Sequence, residues 1–126
     1  MNKREILLKA KEIGINIPIK YFDGEGEYHY FDQINHCIML DSTIEEITLV
    51  DIVHEFTHYL QWTEGYKDTM ISELDKEYDA RSFEYHAEIV GLNWSTFLLE
   101  GKLNTKEILS YYDDILEIFN KGEIAC

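Results

Sequence analysis

Two histidines and a glutamate stand at the spacing H-E-x-x-H in the segment VDIVHEFTHYLQW, as His54, Glu55 and His58. Residues four apart lie on one face of an α-helix, so both imidazoles can point at the same place. Neutral imidazole is a common ligand of Zn²⁺. The segment therefore predicts that His54 and His58 are two ligands of a zinc site.

Glu55 directly follows the first histidine and lies beside the ligand face, about 100° away around the helix axis. From there its carboxylate can reach a zinc-bound water without taking a ligand position. Zinc lowers the pKa of such a water towards about 7, and a nearby carboxylate can accept its proton while the water attacks a carbonyl. We therefore expect Glu55 to be the general base of a hydrolytic reaction.

The same spacing also arises by chance, because short motifs of this kind give false positives. Two histidines on a helix are also ordinary surface residues. A catalytic zinc ion usually has three protein ligands in addition to water. The prediction of a metal site therefore depends on a third ligand, carried by an element that returns to the histidines.

Candidates for the third ligand lie downstream of the motif. Four glutamates recur there at helical spacing: Glu73, Glu77, Glu84 and Glu88. A row of carboxylates is also typical of a solvated helix face, which is our interpretation of Glu73 and Glu88. Eighteen residues lie between His58 and Glu77, enough for one helix to end and a second to return antiparallel. We therefore predict Glu77 as the third zinc ligand.

The motif HEFTH followed by Glu77 resembles the gluzincin class of zinc metallopeptidases, and EYDARSF is similar to the ExxAxxF-like stretch of small gluzincins of the ImmA/IrrE type. The resemblance covers roughly residues 1–90. It implies zinc bound by His54, His58 and Glu77, with Glu55 as the general base and a narrow target such as a regulator. It also implies that the strand HCIM lines the cleft and holds an extended peptide by strand addition.

The elements that must position these residues form an α+β pattern. Helical spacing of apolar residues predicts a helix over residues 3–13, and alternation predicts short strands within INIPIKYF, YHYF and HCIMLD. Pro18 indicates that the first of these strands lies at a sheet edge. Three helices then follow, an order that predicts a small α+β domain of minimal zincin-like form.

Capping signals set the expected starts of two of those three helices. Ser42 with Glu45 predicts the start of the helix that carries the histidines. A long helix carrying the glutamates is expected over residues 72–100, packed against the histidine helix. Asn104 with Glu107 predicts the start of the last helix.

Composition limits the partners. The chain has 126 residues and 45% hydrophobic residues, which suits a single metallopeptidase-like domain over residues 1–126. The net charge of −14, with 25 acidic and 11 basic residues, argues against nucleic-acid and anionic membrane partners. The first residues lack the apolar core of a signal peptide, and Cys37 and Cys126 are expected to be reduced thiols, so we expect a cytoplasmic protein. No sequence feature indicates an oligomeric state.

The leading hypothesis is a zinc-dependent metallopeptidase that hydrolyses peptide bonds in a cytoplasmic protein or peptide. The alternative is a metalloprotease-like, zinc-containing binding or regulatory module without peptidase activity. The presence of Glu55 disfavours the alternative, because a binding module does not need a general base. A third hypothesis is a structural helical protein with an accidental motif.

Overall fold

The residues that the computed structural model describes are 2–26, 28–99 and 101–121. The first element, α1 (Lys3–Glu12), begins after Asn2, whose side chain accepts a hydrogen bond from the Glu5 amide. This bond satisfies one of the unpaired amides of the first turn. Ile6 and Ala10 are buried one turn apart and anchor the helix on the core. The predicted helix over residues 3–13 is confirmed.

Three short strands form a mixed sheet, and the strands expected from the alternating pattern are confirmed. They are β1 (Ile19–Phe22), β2 (Tyr30–Asp32) and β3 (Cys37–Asp41). The sheet order is β1-β3-β2, with β3 parallel to β1 and antiparallel to β2. The central strand β3 is buried on both faces, and β1, which follows Pro18, lies at an edge as expected.

The histidine-bearing helix is α2 (Leu49–Thr63), and it begins later than predicted. The backbone amide of Thr48 donates to the Asp51 carboxylate at 2.9 Å, which caps its first turn. The predicted start at Ser42 is wrong, because the Ser42 hydroxyl and amide both donate to the carbonyl of Phe22 at 2.9 Å. Ser42 therefore continues the sheet instead of capping a helix.

The predicted long helix over residues 72–100 is also wrong. The structure has α3 (Lys67–Ser72), a one-turn 3-10 helix (Tyr78–Ala80), α4 (Ser82–Leu92) and a second 3-10 helix (Trp94–Phe97) in this region. The helix is therefore interrupted before α4 begins, which changes the residues that can reach α2.

The break before α4 has an identifiable cause in the buried carboxylate of Glu73. Its Oε1 accepts from the Ser82 hydroxyl at 2.7 Å and from the Phe83 amide at 3.4 Å. The guanidinium of Arg81 donates to the backbone carbonyls of Leu74 and Lys76. These bonds hold the connecting loop folded back on the start of α4, so residues 73–81 do not extend one helix.

The chain ends in α5 (Thr105–Asn120), preceded by a short hairpin of β4 (Leu98–Leu99) and β5 (Lys102–Leu103). The Asn104 side chain accepts from the Glu107 amide at 3.1 Å, so the predicted cap of the last helix is confirmed. With helices packed around a small mixed sheet, the α+β class is confirmed as well.

The two central helices approach each other closely at Gly91 of α4. A methyl group there would lie 3.1 Å from the carbonyl oxygen of Val50 and 3.5 Å from the Cβ of His54. The absence of a side chain thus brings α4 close to the helix that carries both histidines. The shared core between the helices and the sheet consists mainly of Ile13, Ile38, Leu40, Ile52, Val53, Phe56, Val90 and Ile108.

The last two observations on the fold concern the cysteines and the apolarity of the helices. Cys37 is a buried free thiol of β3, whereas Cys126 lies outside the described residues. In the part of the chain that the structure describes, we find no helix with the length and apolarity needed to cross a membrane.

Candidate metal site

Two imidazoles and one carboxylate meet between α2 and α4. The rings of His54 and His58 have centroids 4.9 Å apart. Their Nε2 atoms lie 3.5 Å and 2.8 Å, respectively, from Oε1 of Glu84. Each residue of this group offers one ligand atom, and these atoms all lie within 4.8 Å of one another. The two histidines of the motif therefore converge, as the helical spacing predicted.

The chemistry of this group fits a metal ion. Oε1 of Glu84 is buried, and Nε2 of His58 and Nε2 of His54 face it at 2.8 Å and 3.5 Å. The two imidazole nitrogens that face it can donate only when Nε2 carries a proton. Buried acceptors that face nitrogen lone pairs need a proton or a cation between them. Two imidazole nitrogens and one carboxylate oxygen form a ligand set that Zn²⁺ adopts in catalytic sites.

The third member of the group is Glu84, and the predicted ligand Glu77 is not part of it. Glu77 is exposed and precedes the 3-10 helix, before the chain turns into α4. Among the described elements, α4 makes the most extensive contact with α2, and Glu84 lies in its first turn. The choice of Glu77 assumed one continuous helix through residues 72–100, and the break in that helix moves the facing carboxylate to Glu84.

A buried chain of hydrogen bonds lies behind His58. Its Nδ1 lies 2.9 Å from Oε1 of Gln61. The Gln61 amide nitrogen lies 3.0 Å from the Phe83 carbonyl and 2.8 Å from Nδ1 of His86. Nε2 of His86 lies 2.8 Å from the Ile108 carbonyl. Gln61 and His86 are fully buried, so these bonds are shielded from water.

The donor and the acceptor of each of these hydrogen bonds can be assigned by starting from the Ile108 carbonyl. The Ile108 carbonyl can only accept, so Nε2 of His86 carries a proton. Burial lowers the pKa of His86 to about 4, so the ring is neutral and its Nδ1 accepts from the Gln61 amide group. Gln61 then presents its oxygen to Nδ1 of His58, which must donate. Nε2 of His58 is thereby left as the nitrogen available to a metal.

The ionisable groups of the site are strongly coupled in the absence of a cation. Burial lowers the pKa of His58, but the hydrogen bond and charge of Glu84 and the charge of Glu55 outweigh it and raise the pKa to about 9. Burial raises the pKa of Glu84, but the hydrogen bonds from both imidazoles outweigh that effect and lower it to about 2. Without metal, a proton therefore holds His58 and Glu84 together.

Glu55 lines the cleft beside this group, as its position in the motif predicted. It is nearly fully buried, and burial raises the pKa of its carboxyl group against the lowering effect of the two histidines. A carboxylate with a raised pKa binds a proton more readily than one in free solution. Glu55 therefore has the environment of a proton acceptor.

The cleft above the group has a volume of about 850 Å³. A hydroxyl that stabilises a developing oxyanion has to reach this cleft. Tyr78 lines the cleft, whereas the Tyr66 hydroxyl donates to Asp113 and Tyr85 packs against Phe119. Burial and the nearby Glu84 raise the pKa of Tyr78, so its hydroxyl stays protonated and can donate a hydrogen bond.

Asp51, three residues before His54, accepts hydrogen bonds from the Thr48 amide and hydroxyl and so caps α2. One other sequence expectation changes. The strand HCIM, expected to take a peptide by strand addition, is part of β3 and is paired on both sides. That expectation is wrong, because a central strand has no free edge. The strand that lines the cleft and has a sheet neighbour on one side is β2.

Three kinds of comparison were made with known proteins. Models of protein families, curated proteins and solved structures yield no match to this chain. The functional argument therefore depends on the geometry of the site.

Proposed function

We propose that this protein is a zinc-dependent metallopeptidase with His54, His58 and Glu84 as zinc ligands and Glu55 as the general base. The observation that carries the proposal is the convergence of three ligand atoms within 4.8 Å of one another, beside a buried glutamate in an open cleft. This arrangement gives each member of the H-E-x-x-H motif a separate role.

A zinc ion in this site would supply a Lewis acid that polarises a substrate carbonyl and promotes ionisation of water. Glu55 accepts the proton of the attacking water and passes it to the leaving amine. Tyr78 donates a hydrogen bond to the carbonyl oxygen as negative charge develops there. Gln61 keeps the proton of His58 on Nδ1, so that Nε2 faces the ligand position.

The proposal keeps the gluzincin class that the sequence resemblance implied, with Glu84 in the position that the resemblance assigned to Glu77. Gluzincins complete their site with a glutamate from a helix downstream of the motif helix, and we assign that role to Glu84 of α4, which follows α3 in the chain. The proposal includes a peptide or protein substrate in the cytoplasm, held in extended form against the free edge of β2.

Metal analysis of three variants tests the ligand assignment. Glu84→Ala should lose the zinc that the wild-type protein retains after dialysis, as should His54→Ala. Glu77→Ala is the matched control, because it removes an exposed carboxylate from the same segment and should keep full zinc. Loss of zinc in Glu77→Ala and retention in Glu84→Ala would refute the assignment.

Glu55→Gln tests hydrolysis separately from metal binding. The amide keeps the size of the side chain but cannot accept a proton, so peptide cleavage should fall by about 10²-fold or more. Zinc content and stability should be unchanged. Cleavage can be followed by mass spectrometry of a complex peptide mixture incubated with either protein. If zinc is bound and wild type cleaves no more than the variant, the binding-module alternative replaces the peptidase proposal.

A further inference from the structure

The cleft is longer than the metal site and runs beside most of α2. Its lining includes Asp51 in the first turn of α2 and Trp62 in the last, with both histidines between them. The eleven helical steps from Asp51 to Trp62 correspond to about 16 Å. An extended peptide rises about 3.3 Å per residue, so about five substrate residues fit along this length.

The two ends of the cleft differ in chemistry. Beyond the histidines, towards the end of α2, the walls are apolar: Trp62, Met70, Ile71, Leu74 and Phe83. Towards the start of α2 the lining carries the carboxylates of Glu46 and Asp51, together with Tyr28 and Tyr30. In the part of the chain that the structure describes, no lysine or arginine lines the cleft.

Exposed apolar surface is concentrated around this cleft. Among the described residues eight large hydrophobic side chains are exposed, and five of them line the cleft: Tyr28, Tyr30, Ile71, Leu74 and Tyr78. Exposed large apolar groups gathered at one cleft indicate a binding surface. Single exposed groups elsewhere, such as Ile34 and Leu92, need no such explanation.

We propose that the cleft binds an extended peptide with a bulky apolar side chain on one side of the metal site and a lysine or arginine on the other. The apolar side chain is buried between Trp62, Ile71 and Leu74. The cation lies near Glu46 and Asp51, where the rings of Tyr28 and Tyr30 add favourable cation–π contacts. The inference deepens the proposed function by naming the substrate class.

Selection from a library of displayed random peptides tests the substrate class directly. The bait is the full-length Glu55→Gln protein with added zinc, which should bind substrates without cutting them. Selected peptides should combine a large apolar residue with Lys or Arg a few positions away. Recovery of acidic or small polar peptides, or of no peptides, would overturn the inference.

Matched variants then test each end of the cleft with one selected fluorescent peptide. Leu74→Ser should weaken binding about tenfold, which corresponds to about 1.4 kcal/mol. Leu92→Ser is its control, because Leu92 is 63% exposed against 56% for Leu74 but does not line the cleft. Equal losses from the two variants would contradict an apolar subsite at Leu74.

Glu46→Gln should weaken the same peptide several-fold, and Glu45→Gln should not. Both residues are exposed neighbours, but only Glu46 lines the cleft. Binding should also weaken as salt rises, because the Debye length falls from about 10 Å at 0.1 M to about 3 Å at 1 M. Binding that is insensitive to both salt and Glu46→Gln would overturn the cationic part of the inference.

Incubation of wild-type protein and zinc with the selected peptides separates the two proposals. Cleavage between the apolar and the cationic residue supports both. Binding of such peptides to the Glu55→Gln protein without cleavage by the wild type would refute peptidase activity and leave the binding specificity established. Cleavage of peptides that lack this pattern would support peptidase activity and refute the binding specificity.

Discussion

Replacing Gln61 by methionine should uncouple His58 from the buried hydrogen bonds behind it. Methionine is similar in length and flexible, so the cavity stays filled. The change removes the acceptor for Nδ1 of His58 and the donor to Nδ1 of His86, which lie 2.9 Å and 2.8 Å from the Gln61 side chain. Both ring nitrogens are then left buried without a partner.

The size of the effect follows from the two ring nitrogens that lose their hydrogen-bond partners. A buried polar group without a partner costs about 1–3 kcal/mol, so Gln61→Met should lower the free energy of unfolding by about 2–6 kcal/mol. The Phe83 carbonyl lies inside α4 and can be satisfied by the helix, so it adds little. Removal of a partner that orients a metal-bound histidine typically lowers metal affinity about 10- to 100-fold, and we expect a loss in this range for zinc.

Three measurements check this prediction. Urea unfolding of the metal-free protein gives the stability, and competition with a chromogenic chelator gives the zinc affinity. Long-range ¹H–¹⁵N spectra of the zinc-loaded protein show which nitrogen of His58 carries a proton. In the wild type this should be Nδ1, because Gln61 accepts from it.

Two further variants separate the orientation of His58 by Gln61 from a general loss of protein stability. Thr57→Val breaks the 2.8 Å bond to the Val53 carbonyl inside the same buried part of α2 and should cost about 1 kcal/mol without changing zinc affinity. Gln61→Glu keeps an acceptor for His58 and should retain more zinc affinity than Gln61→Met. If Gln61→Met binds zinc as tightly as the wild type with the same His58 proton position, the orienting role is refuted.

Three other predictions follow from the structure. Gly91→Ala gains about 1 kcal/mol of helix propensity, but its methyl group would lie 3.1 Å from the Val50 carbonyl. We therefore expect α4 to shift and zinc affinity to fall. A more stable variant with unchanged zinc affinity would contradict this prediction. In the metal-free protein the pKa of His58 is raised from 6.5 to about 9, so its contribution to stability is full below pH 6.5 and lost as the pH rises through about 9. Urea unfolding across that range should show the loss in the wild type and not in Glu84→Gln. Gly24→Ala places a methyl group against the Asp41 carboxylate, which accepts from the Gly24 and Gly26 amides, and thermal unfolding should reveal a loss of about 1–3 kcal/mol.

The part of the site that sequence predicts well lies on one helix. His54, Glu55 and His58 are related by helical spacing alone, and the structure brings the two imidazoles together with Glu55 beside them. Gln61 follows His58 by three residues, a spacing that also places it on the same face. Its contact with His58 was therefore readable from the sequence, whereas its contact with His86 depends on how α4 packs.

The third ligand could not be predicted from local sequence patterns. Glu77 and Glu84 are seven residues apart, so they share a face on any continuous helix. The carboxylate of Glu73 removes that continuity by binding Ser82 and Phe83 at the start of α4. That contact joins residues nine positions apart in the chain, with a one-turn 3-10 helix between them, and no helical or strand period predicts it.

The antiparallel register of α2 and α4 explains why Glu84 is the residue that faces the histidines. Gly91 lies opposite Val50, so eight residues onward along α2, at His58, the facing position on α4 lies eight residues back, at Phe83. The rings of His58 and Phe83 are indeed 5.7 Å apart, and Glu84 is the next residue. The same register would pair Glu77 with a position beyond the end of α2 at Thr63, where no histidine ligand could meet it. A single close contact between two helices thus selects one of several equivalent glutamates as the candidate ligand.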